Sequence, residues 1–214
     1  MEDCNYRKMS SSNTLVQMMN SFFPSRTSTL SREDIDFEML PPNHLVGKQI
    51  DVLQFLKGRS WVPELIMTLH TNEGIVIITK KRVCMDIVDY SILHSFNDKM
   101  ISTLLAAVRV LHHAKILHGD ISEKTVNVDE TGEFYISNFS TVSEVKVTHG
   151  REFEPDILAL GLLLHKCLLQ ESFKPSGVSS TSGASYQPRR ELFPKYNKLL
   201  ISLINEPRSI PNDF

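Results

Sequence analysis

In three short segments of this chain, the types of side chain and their spacing are compatible with a catalytic role. The segments are His118-Gly119-Asp120, Asn138-Phe139-Ser140 and the carboxylate of Asp156. Eighteen residues separate Asp120 from Asn138, and eighteen more separate Asn138 from Asp156. A loop carboxylate such as Asp120 can act as a general base, or it can order the loop by accepting hydrogen bonds. Both roles remain open for Asp120.

Helices and a hairpin are predicted where they would position these three segments. Residues 98–114 are apolar at helical spacing on a broad face, which predicts a largely buried helix before the first segment. A turn signal at 129–132 lies between two short apolar runs and predicts a hairpin before the second segment. Residues 156–169 are apolar nearly all round and predict a core helix that begins at Asp156.

Further elements are predicted on either side of this region. An amphipathic helix is expected over 45–57, ending around Gly58, and a second hairpin over 63–79. A last amphipathic helix is expected over 194–205. The composition of 171–190, rich in serine with two prolines, predicts a flexible, disordered loop.

The N-terminal 30 residues are expected to form a flexible segment that contains a short amphipathic helix. Leu15, Met18, Met19, Phe22 and Phe23 would share one apolar face of that helix. The helix could pack on its own domain or serve as a docking helix for a partner.

The ordered segments resemble the C-lobe of protein kinases. They match the His-Arg-Asp catalytic loop, the Asp-Phe-Gly motif and the Asp-x-x-x-x-Gly start of the central helix. The resemblance covers 97–170 and, less closely, 44–96. It implies an α+β, two-lobed protein-kinase-like fold, with a truncated N-lobe over 31–85 and a mostly helical C-lobe over 86–214.

Most positions that handle phosphate in that family hold other residues here. Asp120 matches the catalytic base, whereas Gly119 replaces the arginine that often clamps a phosphorylated activation loop. The other degenerate positions are Gln49 for the helix glutamate, Ser122 for the loop lysine, Thr125 for the metal-binding asparagine, Asn138 for the metal-binding aspartate and Ser140 for the glycine that follows it. Magnesium prefers charged oxygen ligands, so the resemblance implies no metal site.

The groups that would hold the nucleotide are also missing. No glycine occurs before residue 44, so the glycine-rich phosphate loop has no counterpart. Glu38 or Met39 stands where the strand lysine belongs, and Lys48 is too close to the helix to replace it. Asn127 falls where an apolar floor for adenine is usual. ATP and magnesium are therefore expected as cofactors only if the chain is an active kinase.

The framework positions of the family are kept. His118 and Phe139 match members of the hydrophobic spine, and Leu53 could supply another layer. Asp156 matches a buried carboxylate that accepts backbone hydrogen bonds from the His-x-Asp loop. His112 and His113 are expected to be structural or solvated side chains at a helix end.

Composition excludes several other classes of protein. The formal net charge of -2 predicts neither a nucleic-acid partner nor an anionic membrane surface. Cys4, Cys84 and Cys167 have no metal-ligand spacing and are expected to be reduced thiols. The lack of a signal-peptide pattern and of a long apolar stretch predicts a cytoplasmic or nuclear protein.

These features predict a catalytically impaired pseudokinase, a regulatory or binding module for a partner protein, with another kinase as one candidate. The alternative is a divergent active Ser/Thr kinase that uses Asp120 as its base. A third hypothesis is a scaffold fragment that works through its N-terminal helix and Ser-rich loop.

Overall fold

Five α-helices and eight short strands make up the described part of the chain, in a mixed α+β arrangement. A computed structural model describes residues 35–41, 44–72, 74–94, 96–146, 151–171 and 185–211. From Asp36 onward these residues belong to one compact unit. The helix predicted within residues 1–30 lies outside the described ranges.

The first sheet has the strand order β1–β3–β2. Its strands are β1 (Ile35–Leu40), β2 (Leu65–His70) and β3 (Ile75–Lys80). β2 and β3 are antiparallel neighbours joined by a short turn, which confirms the hairpin predicted over 63–79. β3 is the more deeply buried of the two, because it is the central strand of the sheet, and its run of Val76, Ile77 and Ile78 is buried.

Helix α1 (His44–Phe55) lies between β1 and β2 in the chain and ends just before Gly58, close to the predicted bounds. Val46, Gln49 and Leu53 follow one another at helical spacing, and all three are buried. The inward face of α1 therefore contains one amide among its apolar side chains. The helix packs against a 3-10 helix at Phe139–Thr141.

The second sheet has the order β4–β6–β7, with β4 (Cys84–Asp86), β6 (Val126–Asp129) and β7 (Phe134–Ile136). All its pairs are antiparallel, so the predicted hairpin over 126–136 is confirmed. The Asp129 carboxylate closes the turn by accepting the amides of Thr131 and Glu133, each at 3.0 Å. The third sheet pairs β5 (Ile116–Leu117) with β8 (Ser143–Glu144).

Helices α2 (Ile87–Leu93) and α3 (Asp98–His113) each begin at a side-chain cap. Asp86 accepts the Val88 and Asp89 amides at 2.7 and 3.0 Å, and Asn97 accepts the Met100 amide at 3.1 Å. α3 buries its apolar face as predicted. α2 was not anticipated, because seven residues are too few for a periodic pattern.

Helices α4 (Glu154–Leu169) and α5 (Pro194–Asn205) each have a proline in the first turn, where its missing N–H costs nothing. α5 packs on α4, and both helices occur where the sequence predicts them. Along α4 the apolar side chains are buried together with two polar ones, Asp156 and His165. The core of the molecule is centred on α3 and α4.

The disordered loop predicted over 171–190 lies mostly outside the described residues, but two of its last six residues make contacts with α5. Tyr186 is buried, and its backbone exchanges two hydrogen bonds with the Asn205 side chain at 2.7 and 3.0 Å. The Arg189 backbone is held in the same way by Asn197. The flexible loop over 171–190 stays a prediction, and these hydrogen bonds describe only its C-terminal end.

Candidate functional site

The loop from His118 to Thr125 joins β5 to β6, and the Asp156 side chain accepts hydrogen bonds from its backbone. This carboxylate is 1% exposed and sits in the first turn of α4. Its two oxygens accept the amides of His118 and Gly119 at 2.8 and 2.9 Å. The hydrogen bonds expected of Asp156 are therefore present, and they fix the backbone just before Asp120.

His112 is a third partner of this carboxylate. Its Nε2 lies 3.1 Å from Asp156 Oδ2, and its ring stacks on Phe153 with centroids 4.3 Å apart. The sequence prediction of a structural or solvated side chain did not identify this role. A signal was available, because His112 follows the buried Val108 by four residues and so shares its inward face.

The environment keeps Asp156 ionised. Burial opposes ionisation, but hydrogen bonds from His112 and from the two loop amides outweigh it and hold the pKa of the carboxyl below its ordinary value. A charged acceptor makes stronger hydrogen bonds than a neutral one. The loop is thus anchored to α4 by charge-assisted hydrogen bonds.

His118 is fully buried and uses both ring nitrogens. Its Nδ1 lies 3.3 Å from the amide of Asp120, from which it accepts, and its Nε2 lies 3.2 Å from the Ser137 carbonyl oxygen, to which it donates. Its ring meets Phe139 edge-on at 5.0 Å. Burial lowers the pKa of His118, and this arrangement needs the neutral ring. Phe139 and Leu53 belong to the same buried core.

The carboxylate of Asp120 is met by a neutral amide. Asn138 Nδ2 donates to Asp120 Oδ2 at 3.2 Å, and the Ser140 hydroxyl donates to Asn138 Oδ1 at 2.5 Å. Asn138 has φ 58°, a left-handed conformation that asparagine tolerates better than most residues. Three predicted site residues are therefore brought together in one hydrogen-bonded chain.

Thr125 and Ser122 are also in this loop, but they are turned onto its backbone. The Thr125 hydroxyl is buried, donates to the Asp120 carbonyl oxygen at 2.6 Å and accepts the Ser122 amide at 3.0 Å. The hydroxyl of Thr125 is therefore used in closing the turn. Asn127 points its amide toward the Ser137 hydroxyl at 3.5 Å and is half-buried.

This set of donors does not fit magnesium. Asp120 supplies one carboxylate, Asn138 supplies an amide, and the Thr125 oxygen is already bonded within the loop. Magnesium is held in proteins by carboxylates, phosphates and water in near-octahedral geometry. Across the described ranges no cluster of three His, Cys, Asp or Glu side chains could hold a metal ion.

A second predicted position, Gln49, pairs with β1. Its Nε2 donates to Glu38 Oε2 at 3.1 Å, and Gln49 is only 4% exposed. Of the two residues that the sequence offers in place of a strand lysine, Glu38 is the one that faces α1. Lys48, the residue before Gln49 on α1, is exposed. The contact between strand and helix thus joins a carboxylate to an amide, with no cation.

Gly119 lies exposed beside this loop with φ 80°. The position that a clamping arginine would occupy therefore has no side chain. Its backbone N–H is bonded to Asp156, and the neighbouring carbonyl of His118 accepts the Thr141 hydroxyl at 2.8 Å. The loop is tied at this point through its backbone.

Comparisons with known proteins add nothing to this geometry, since neither a protein-family model nor a curated protein matches the chain.

Within the described part of the chain, no helix has the length and apolar character needed to cross a bilayer. Cys84 and Cys167 are both free thiols, and burial raises the pKa of Cys167 to about 12.

Proposed function

We propose that this chain is a degenerate protein-kinase-like module that acts by binding a partner protein, with another kinase as one candidate. Its fold is two-lobed, with a reduced N-lobe over 31–85 and a helical C-lobe over 86–214. Its loop keeps the kinase framework and lacks the groups that would position a triphosphate. The location that suits this role is the cytoplasm or the nucleus.

The order of elements supports the proposal. A strand and α1 precede a hairpin, then come α2, α3, the loop, a second hairpin and α4. The resemblance implies this order for a kinase domain with a shortened N-lobe. The clamp between Asp156 and the loop amides is the framework contact that the resemblance implies.

One observation carries the proposal: the framework is intact while both matched metal positions are neutral and bonded internally. Asn138 meets Asp120 with an amide, and Thr125 is bonded to the backbone of the same loop. Phosphoryl transfer depends on positioning the nucleotide and neutralising its charge. Losing several of these charges removes orders of magnitude in rate.

A nucleotide thermal-shift experiment tests the catalytic half of the proposal. Purified chain is melted with ATP, with magnesium and with both, at matched ionic strength. A ligand that binds only the folded state raises the melting temperature by mass action. We expect no additional shift from the combination. A large magnesium-dependent shift with ATP would favour the alternative of an active Ser/Thr kinase with Asp120 as its base.

Asn138→Asp is the matched variant for that experiment. It returns a carboxylate to the position 3.2 Å from Asp120 Oδ2 without changing the size of the side chain. Two adjacent carboxylates repel each other and attract a divalent cation. The variant should melt below the wild type without metal and recover part of the difference in magnesium, whereas the wild type should not respond.

The binding half is tested with the intact chain as bait. Captured proteins are scored for kinases, and each candidate is then mixed as a purified protein with the chain. Binding by a purified kinase that changes its activity is the expected result. Deleting residues 1–30 distinguishes binding by the kinase-like domain from the scaffold hypothesis. If the deletion abolishes binding, the N-terminal segment is the part that binds the partner.

A further inference from the structure

A basic pocket lies away from Asp120, at the C-terminal end of α3. It has a volume of ≈ 320 Å³ and is bounded by α3, the start of α4 and the segment after α5. Five of its lining residues are basic by type: Arg109, His112, His113, Lys115 and Arg208. The others are Phe153, Ile157, Ser209 and Ile210, so the lining contains no acidic residue.

Within the described residues, no acidic side chain forms an ion pair with Arg109, Lys115 or Arg208. Lys115 and Arg208 are both exposed. Arg109 donates through Nη2 to the Pro211 carbonyl, and its buried Nε has no partner within the described ranges. A buried guanidinium N–H without an acceptor is costly, and an incoming anion would remove that cost.

The charge balance favours an anion with more than one negative charge. Arg109, Lys115 and Arg208 are cationic at neutral pH, and among the described residues the one carboxylate in an ion pair with a lining residue is Asp156, beside His112. Each oxygen of Asp156 accepts a loop amide, and Oδ2 also lies 3.1 Å from His112 Nε2, so this single carboxylate offsets only part of the positive charge. The surplus of positive charge in a concave, partly apolar site attracts anions more strongly than a flat surface does.

We propose that this pocket binds a phosphate group. A phosphate dianion matches several cations at once, and the planar fork of arginine suits its oxygens. Phe153, Ile157 and Ile210 would contact whatever carries the phosphate. The group could belong to a phosphorylated side chain or could be free phosphate, and both share this chemistry. The inference does not depend on the proposed function, since it uses none of the loop around Asp120.

The test is a titration of the full chain with sodium phosphate at pH 7, against sodium chloride at equal ionic strength. Melting temperature and ¹H–¹⁵N spectra are recorded. We expect a saturable rise in melting temperature with phosphate alone and chemical-shift changes centred on Lys115 and Arg208. Lys115→Gln/Arg208→Gln should weaken binding by about tenfold or more, because each hydrogen bond to a charged group is worth that much.

The matched control is Lys81→Gln/Arg190→Gln, which removes the same two charges from exposed positions outside the pocket. This variant should bind phosphate as the wild type does. Equal responses to phosphate and chloride, shift changes that map elsewhere, or unchanged binding in the Lys115/Arg208 variant would each overturn the proposal. The spectra apply to the wild type and so do not depend on the folding of any variant.

A second ligand separates the two sources of phosphate. N-acetyl-O-phosphoserine amide is titrated beside inorganic phosphate. Tighter binding of the blocked phosphoserine assigns the pocket to a phosphorylated side chain of a protein. Tighter binding of inorganic phosphate assigns it to the free anion.

Discussion

At the scale of single residues, one buried carboxylate organises the candidate site. Asp156 connects the end of α3, the His118 loop and the start of α4 through three hydrogen bonds. An isolated buried charge would be expensive, but here every donor around it points inward. The backbone before Asp120 is therefore positioned by a residue that lies outside the loop.

Asp156→Asn should be strongly destabilising. In either orientation of the new amide, its NH₂ group faces a backbone N–H that now donates to Asp156. We expect a loss of about 3 kcal/mol in the free energy of unfolding in urea at pH 7. Asp51→Asn, at an exposed position of α1, removes the same charge and should change stability by less than about 0.5 kcal/mol. Equal losses in the two variants would show that the buried hydrogen bonds contribute nothing.

The sequence indicates which residues belong to the candidate site, but it does not indicate their hydrogen-bond partners. The type and spacing of Asp156, Asn138 and Gln49 are visible in the chain, so their positions could be anticipated. The inward turn of Thr125 and the approach of His112 to Asp156 depend on tertiary distances, which no local pattern encodes. The cations of the basic pocket come from segments about 100 residues apart, which explains why the sequence did not group them.

At the scale of elements, β1 and α1 are joined by the hydrogen bond between Glu38 and Gln49. The bond lies in a half-buried contact, where a mismatch of charge is not relieved by water. A change of charge at Glu38 or Gln49 therefore has to be matched at the other residue if the contact between β1 and α1 is to be kept.

A double-mutant cycle tests this coupling. Gln49→Glu places a second carboxylate against Glu38 and should cost about 2 kcal/mol of unfolding free energy at pH 7. Adding Glu38→Lys turns the repulsion into attraction, so the double variant should recover most of that loss. We expect a coupling energy of about 1 kcal/mol or more from urea unfolding. Strictly additive effects would mean that the side chains do not interact in solution.

The contact between α4 and α5 depends on the absence of a side chain at Gly161. A Cβ there would lie 2.9 Å from both Leu203 Cβ and Ile204 Cγ1. Glycine normally weakens a helix, so its presence inside α4 indicates that close packing outweighs helix propensity. The two helices approach each other along this face.

Gly161→Ala should therefore destabilise the chain by about 1–3 kcal/mol through overpacking, despite the better helix propensity of alanine. Gly47→Ala is the matched change in α1, where an added Cβ meets nothing within 4 Å. That variant should gain about 0.5–1 kcal/mol. Chemical denaturation measures both, and a stabilising Gly161→Ala would refute the close contact.

Elements with a long apolar pattern were the predictable ones. α1, α3, α4, α5 and two hairpins follow from periodicity and turn residues. The sequence did not predict the shorter elements α2, β4, β5 and β8, because two to seven residues cannot establish a period. The short strands among them form by pairing with partners that are distant in the chain.

At the scale of the whole molecule, buried histidines make stability depend on pH. Burial lowers the pKa of both His118 and His165 below the ordinary value of 6.5. The folded state then binds fewer protons than the unfolded state as the pH falls below 6.5, so stability is lost until the folded pKa is passed. Asp156, whose pKa is lowered from 3.8, adds a separate loss in more acidic solution.

The free energy of unfolding should accordingly be nearly constant between about pH 7.5 and 8 and fall below pH 6.5, and the raised pKa of Cys167 adds a separate loss in alkaline solution. His118→Phe should lower stability at pH 7.5, because it removes two hydrogen bonds, and should flatten the fall between pH 6.5 and 5. His165 supplies the slope that remains. Fluorescence of Trp61, the one tryptophan and 9% exposed, reports unfolding. His70→Asn, at an exposed position, should leave the profile unchanged.

Gly119 restricts which residues this loop accepts at its second position. An added Cβ would come within 3.0 Å of the Thr141 carbonyl oxygen, and its φ of 80° strains any L side chain. Any substitution that adds a side chain at this position would thus lower stability, whatever chemistry the new side chain brings.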